Sequence, residues 1–148
     1  TYYFCAPVCK TRFDADPQTV FDFVTRTKHL LKWWGPEGMS LPEHDLDLSR
    51  PGPWSSVMMN ADGRRFKVTG EVVRVETPRL VEFTWAWHDG DDRRGPESRV
   101  RFEVRPDGAG SHFTLVHAGL ADEESAKNHE MGWTSSLGKL ERLAARPG

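Results

Sequence analysis

Only two of the 148 residues are cysteine, Cys5 and Cys9. On one extended strand their α-carbons would stand about 13 Å apart, at roughly 3.3 Å per residue, beyond disulfide reach. Two unbridged thiols suit a reducing compartment, so the expected location is the cytoplasm. No Cys-x-x-Cys occurs and no histidine lies near either thiol, so neither a zinc site nor a redox pair is expected. No apolar run approaches the ~18 residues of a membrane span. The opening Thr1-Tyr-Tyr-Phe-Cys-Ala-Pro-Val has neither the basic start nor the long apolar stretch of a secretion signal. A dominant charge is missing too. The formal net charge is −2, and the only adjacent basic pairs are Arg64-Arg65 and Arg93-Arg94. Nucleic acid and membrane are therefore not expected partners.

What the chain has in excess is tryptophan, six residues in a length that suits one domain spanning 1–148. Trp is costly to leave exposed, so six of them predict a large aromatic core or an aromatic-lined cavity.

Local patterns predict the elements. Cys5 to Phe13 reads as extended. Asp16 followed by Pro17 is a helix start, a capping carboxylate and then proline at the first helical position. Val20, Phe21 and Val24 recur at helical spacing through Thr25. Thr27 is expected to cap a second short helix, Lys28 to Trp33, which Gly35-Pro36 stops. The period then becomes two. Leu46 and Leu48 alternate with Asp45 and Asp47, and strands are expected over Trp54–Asn60, Phe66–Glu76, Leu80–His88, Ser98–Arg105 and Ser111–Ala118, with hairpin turns between. Gly70, where the apolar phase of its strand changes, is expected to permit a bulge or bend. Asp122 is the expected cap of a last helix running to Ala145, with His129, Trp133, Leu137, Leu140 and Ala144 on one stripe. The order is β-α-α-β6-α. Hairpin-linked strands with segregated helices define an α+β domain with an antiparallel sheet of about seven strands.

Several motifs sit on this frame: Phe13-Asp-Ala-Asp-Pro, Leu31-Lys-Trp-Trp-Gly-Pro-Glu-Gly, Asp47-Leu48 with Arg50-Pro51-Gly52 and Trp54, Gly70-Glu71-Val72, Pro78-Arg-Leu-Val-Glu-Phe-Thr-Trp, and His129-Glu-Met-Gly-Trp-Thr-Ser-Ser-Leu. Together they resemble the SRPBCC (START-like) superfamily, in its branch of activator of heat-shock-protein-90 ATPase homologues. The resemblance implies a helix-grip fold, a curved sheet wrapped on a long C-terminal helix around an apolar pocket. It also implies a small bacterial protein, since most such members are. Several relatives bind hydrophobic ligands. The co-chaperone that lends the branch its name carries a second domain, which is not expected within these 148 residues. The inserted Ser49 and the Pro53 in place of a family glycine are expected to reshape the connection between the second and third strands.

The aromatic and apolar residues on converging faces are the candidate cavity lining: Trp33, Trp34, Trp54, Phe66, Val68, Phe83, Trp85, Trp87, Phe102, Phe113, His129, Trp133 and Leu137. Each is weighed against a plain core role. Of Trp33 and Trp34, one is expected to be buried and the other at the cavity rim. His129 is read as a capping or edge histidine bonded to backbone rather than a general base, for which no partner is visible. His112 and His117, five apart on one strand, point to opposite faces and cannot share a metal. Ser135-Ser136 lacks a nucleophile-elbow context, and Gly132, Ser135 and Ser136 are read as small residues that let the helix approach the sheet. Glu71 must face solvent or find a cationic partner. No catalytic residue, metal or cofactor is expected. The leading function is the binding of a small hydrophobic or aromatic molecule. The alternatives are a cyclase- or hydrolase-like enzyme for a polyketide-like substrate, and a co-chaperone-like interaction module. A homodimer is compatible with the sequence.

Overall fold

The computed structural model describes residues 8–35, 38–120 and 123–144, without the side chains of 8–11, 123, 125, 143 and 144. Cys5, Pro36, Asp122 and Ala145 therefore lie outside the described residues, as does the Ala144 side chain.

The chain forms β1 (Val8–Phe13), α1 (Pro17–Thr25), α2 (Thr27–Trp33), β2 (Ser40–Asp45), β3 (Gly52–Met59), β4 (Arg65–Glu76), β5 (Leu80–Trp87), β6 (Ser98–Asp107), β7 (Gly110–Ala118) and α3 (Glu123–Ala144). The seven strands make one sheet in the order β1-β7-β6-β5-β4-β3-β2, antiparallel throughout. First and last strands thus pair, and the sheet's inner face meets α1, α2 and α3. No helix among the described residues is long and apolar enough to cross a membrane.

The Asp16 carboxylate caps α1, accepting from the Thr19 N–H at 3.4 Å and the Thr19 hydroxyl at 2.5 Å. The start of α2 departs from the sequence expectation. Its cap position is Arg26, without a side-chain bond, and the Thr27 hydroxyl donates instead to the Leu46 carbonyl. The Leu48 N–H bonds the Thr25 carbonyl at 2.9 Å. The Leu46–Leu48 alternation therefore buries both leucines under the α1–α2 corner through irregular backbone, and β2 lies earlier, at Ser40–Asp45. Within this connection Asp47 accepts from the Ser49 N–H at 2.9 Å, so the inserted serine is fastened locally.

Alternation along β6 follows the sequence: Val100, Phe102 and Val104 are buried while Arg99 and Arg101 are exposed. β5 is buried on both faces, with Thr84 and Ala86 opposite Phe83 and Trp85. The register shift on β4 lies between Val72 and Arg74, past Gly70, and it leaves Val73 exposed. Gly70 serves a different end. A β-carbon there would stand 1.9 Å from the Thr84 carbonyl oxygen and 2.6 Å from Trp54 Nε1. In the space it leaves, Trp54 Nε1–H donates to that carbonyl at 3.1 Å, and the Thr84 hydroxyl accepts from the Glu71 N–H at 2.8 Å. Gly70→Ala is expected to cost about 1–3 kcal/mol through this overpacking, read as a lower urea midpoint at unchanged slope. A variant as stable as the parent would show that the sheet yields here at no cost.

Candidate functional site

The last helix carries two neighbouring rows inward, Asn128–Gly132–Ser136 and His129–Trp133. Their i, i+4 spacing puts each row on one face. They converge with Trp34 and Gly35 at the end of α2, with Met39 and Met58, and with Phe66, Trp85 and Trp87 on the sheet. Between these groups opens an overwhelmingly apolar pocket of about 260 Å³, just below the roughly 300–1,000 Å³ common for ligand pockets.

Four tryptophans wall the pocket, packed ring on ring. Trp85 lies 5.1 Å from Trp133, 5.4 Å from Trp87 and 5.9 Å from Trp34, centroid to centroid, and Trp34 meets Trp133 edge-on at 5.8 Å. Indole N–H groups need acceptors once buried. Trp34 Nε1 donates to Ser56 Oγ at 3.0 Å, Trp133 Nε1 to His117 Nδ1 at 3.0 Å, and Trp87 Nε1 to His129 Nε2 at 2.8 Å.

These bonds set the protonation of His117, which is fully buried. An indole nitrogen only donates, so Nδ1 carries no proton and accepts from Trp133. The ring proton is then on Nε2 and points to Ser98 Oγ at 2.7 Å, while the Ser98 hydroxyl reaches the Trp85 carbonyl at 3.3 Å. Burial, with a lesser contribution from the neighbouring His129, pushes the His117 pKa down to about 3. The imidazole is a neutral strut tying β7 to β6 and α3.

Of the candidate lining residues, Trp34, Phe66, Trp85, Trp87, His129 and Trp133 come together on the pocket wall. Trp33, Trp54, Val68, Phe83, Phe102, Phe113 and Leu137 do not. They are buried in the core behind it. Both Trp33 and Trp34 are buried, so neither is the exposed rim residue expected. Trp33 donates to the Phe23 carbonyl at 2.8 Å and packs 6.2 Å from Phe102, facing the core, whereas Trp34 turns to the pocket. His129 Nε2 receives the Trp87 N–H, and its ring stands 4.8 Å from that of His117, nearly perpendicular.

Gly35, Met39, Met58, Asn128, Gly132 and Ser136 were not among the candidates. A signal existed for the helical ones, since Asn128, Gly132 and Ser136 precede His129, Trp133 and Leu137 by one residue, so the stripe is simply one residue wider. Ser136 donates to the Gly132 carbonyl at 2.9 Å, which keeps its hydroxyl occupied. Glu71 is exposed and so is no buried base.

A second polar cluster lies elsewhere. His88 bridges Thr69 Oγ1 (2.8 Å) and Asp92 Oδ1 (2.9 Å), Lys67 pairs with Asp92, and Arg94 Nε donates to Thr69 Oγ1 at 3.1 Å. Thr69 alternates with the inward Val68, so this cluster sits on the sheet's outer side. There it fastens the 88–97 loop to β4. Among the described residues, no group of three or more histidine, cysteine or acidic side chains could hold a metal ion.

A curved antiparallel sheet gripping one long helix, with a Trp-walled pocket at its upper half, defines a helix-grip domain. The chain belongs to the family of Activator of Hsp90 ATPase homolog 1-like proteins, whose model matches residues 14–145. It is 48% identical to the AHSA1 protein of Silicibacter pomeroyi, with 95% of this chain and 98% of that chain covered and a TM-score of 0.91. The same fold, at 21% identity, recurs in a protein of Chromobacterium violaceum (TM-score 0.80, covering 95% of this chain and 96% of that one). It recurs again in a protein of Mycobacterium smegmatis (21% identity, TM-score 0.77, covering 95% and 91%). No curated protein matches the chain.

Proposed function

We propose that this domain binds a small, neutral, apolar or aromatic molecule between the last helix and the sheet. The observation that carries the reading is the open space of about 260 Å³ at the point where four tryptophans converge. Well-packed interiors hold few voids larger than a water molecule, so an apolar gap of this size marks a place for a guest. The wall supports an apolar guest further. Among the described residues it has no lysine, arginine, aspartate or glutamate, and a charged ligand would lose its hydration without a counter-ion. Met39 and Met58 add unbranched, polarizable side chains that adapt to a guest's outline.

Titration with a set of one- and two-ring aromatic compounds, followed by tryptophan fluorescence, tests the proposal. Saturable binding tighter than about 1 mM is expected for some members. Asn128 is an exposed residue on the pocket wall, so Asn128→Trp is expected to obstruct entry without disturbing the core and to weaken binding about tenfold or more. Absence of saturable binding across the set, or affinity unchanged in Asn128→Trp, would overturn the reading.

A further inference from the structure

A second hollow, of about 330 Å³, borders Trp34 and Met39 but otherwise draws on different residues from the tryptophan pocket. It is a groove between α2, the edge strand β2 and α3. Each of these elements brings one basic side chain to it: Lys32 from α2, His44 from β2 and Lys139 from α3. Among the described residues that line it there is no aspartate or glutamate. Acidic residues outnumber lysine and arginine in this chain, 22 to 20, so a groove lined by one sign is unlike the surface at large. Among the described residues no carboxylate pairs with Lys32 or His44.

Apolar surface lies beside these charges. Leu31, at 39%, is one of three large apolar side chains exposed among the described residues, and Leu41 is half-buried. A local irregularity of β2 helps to build the site. Leu41 and His44 are three apart and would face opposite sides of a regular strand. From Ser40 to Glu43, however, β2 advances three residues while β3 advances two, from Met59 to Val57. The extra residue is a bulge, and Leu41 and His44 both border the groove. The lysines need no fixed aim. An ammonium on a flexible four-carbon stem can swing over a hollow that its residue borders.

We propose that this groove binds an organic carboxylate, with the anionic head held by Lys32 and Lys139 and the hydrocarbon laid on Leu31 and Leu41. An inorganic anion would use the charges and leave the apolar surface wet. A neutral molecule would use the apolar surface and leave the charges unanswered. A carboxylate with a hydrocarbon body uses both. The site is separate from the neutral guest of the tryptophan pocket and does not rest on that reading.

Hexanoate and hexanamide share a shape and differ in charge. Each is titrated into ¹⁵N-labelled protein and followed residue by residue by NMR. Hexanoate is expected to shift the backbone amides of Lys32, Leu41, His44 and Lys139 saturably, and to bind about tenfold more tightly than hexanamide. Added salt should weaken it. Acetate, which lacks the chain, and inorganic phosphate are expected to bind at least tenfold more weakly than hexanoate, since each buried methylene adds about fourfold. Lys32→Gln is expected to weaken hexanoate about threefold, and Lys32→Arg to preserve its affinity. Lys32 is exposed, so neither substitution disturbs the core. No saturable shift at these amides, hexanamide binding as tightly as hexanoate, or unchanged affinity in Lys32→Gln would each overturn the proposal. Acetate or phosphate binding as tightly as hexanoate would overturn it too, because the hydrocarbon would then contribute nothing. The tryptophan pocket is read with neutral aromatic probes at Asn128 and Gly132, so the failure of either site leaves the other standing.

Discussion

Trp133→Ala is expected to destabilise the domain by about 3–5 kcal/mol, the range for deleting a buried large aromatic. Trp133 is 5% exposed and sits where the last helix meets the sheet. Its ring contacts Trp34, Trp85 and Phe102, with centroids 5.8, 5.1 and 6.1 Å away. Removing it enlarges the neighbouring pocket rather than leaving an isolated hole, so the surrounding rings have little to collapse onto. It also strips His117 Nδ1 of its donor. Trp133→Phe separates the two effects. It retains most of the packing but leaves the imidazole nitrogen buried and unsatisfied, which costs about 1–3 kcal/mol. Domains of this kind have about 5–15 kcal/mol in hand, so the alanine variant loses a large share and its Tm should fall by roughly 6–20 °C. Urea and thermal unfolding of both variants provide the measurement. An alanine variant within about 1 kcal/mol of the parent would mean that the helix is held by its lower half, Leu137 and Leu140, and that the indole grips nothing.

How far the sequence reveals these features depends on whether a residue's fate is decided by its near neighbours. β6 was legible because its alternation, Val100, Phe102 and Val104 against Arg99 and Arg101, matches a sheet with one wet face. Asp16-Pro17 was legible because a helix cap is a local event. β2 was not. As an edge strand it buries almost nothing, so Ser40–Asp45 carries no apolar rhythm. Leu46 and Leu48 carry the rhythm without forming the strand, because the corner of α1 and α2 claims their backbone. The aromatic surplus announced a large core or a cavity, but not which rings border the open space. Trp33 and Trp34 are adjacent and equally buried, yet one faces the core and the other the pocket. That choice is made by Phe23 and Ser56, partners 10 and 22 residues away. His117 was invisible as a functional strut for the same reason, since its meaning comes from Ser98 and Trp133, on two other elements.

That strut makes stability depend on pH. In the unfolded chain a histidine titrates near 6.5. In the folded protein burial holds His117 at about 3. Protons therefore bind the unfolded chain first, and stability contributed by the neutral imidazole is present in full above about pH 6.5 and is lost as pH falls toward 3. Between pH 7.5 and 5 the loss from this one group amounts to about 2 kcal/mol. The figure is insensitive to how low the folded value lies, because at pH 5 the buried ring is still neutral and the change comes from the unfolded side. His117→Gln removes the titration while retaining an oxygen that can accept from Trp133 and an amide that can donate to Ser98. Urea unfolding of parent and variant across this interval should show the variant's stability falling less, by about 2 kcal/mol. Parallel curves would mean that His117 is not neutral and buried as the hydrogen bonds require. The direction of failure is also specified. A proton forced onto Nδ1 would face the Trp133 N–H, donor against donor, at a contact that is 3.0 Å in the neutral state. Acid should therefore loosen the last helix at Trp133 and open the tryptophan pocket before the sheet itself gives way, with tryptophan fluorescence changing ahead of the far-UV signal of the strands.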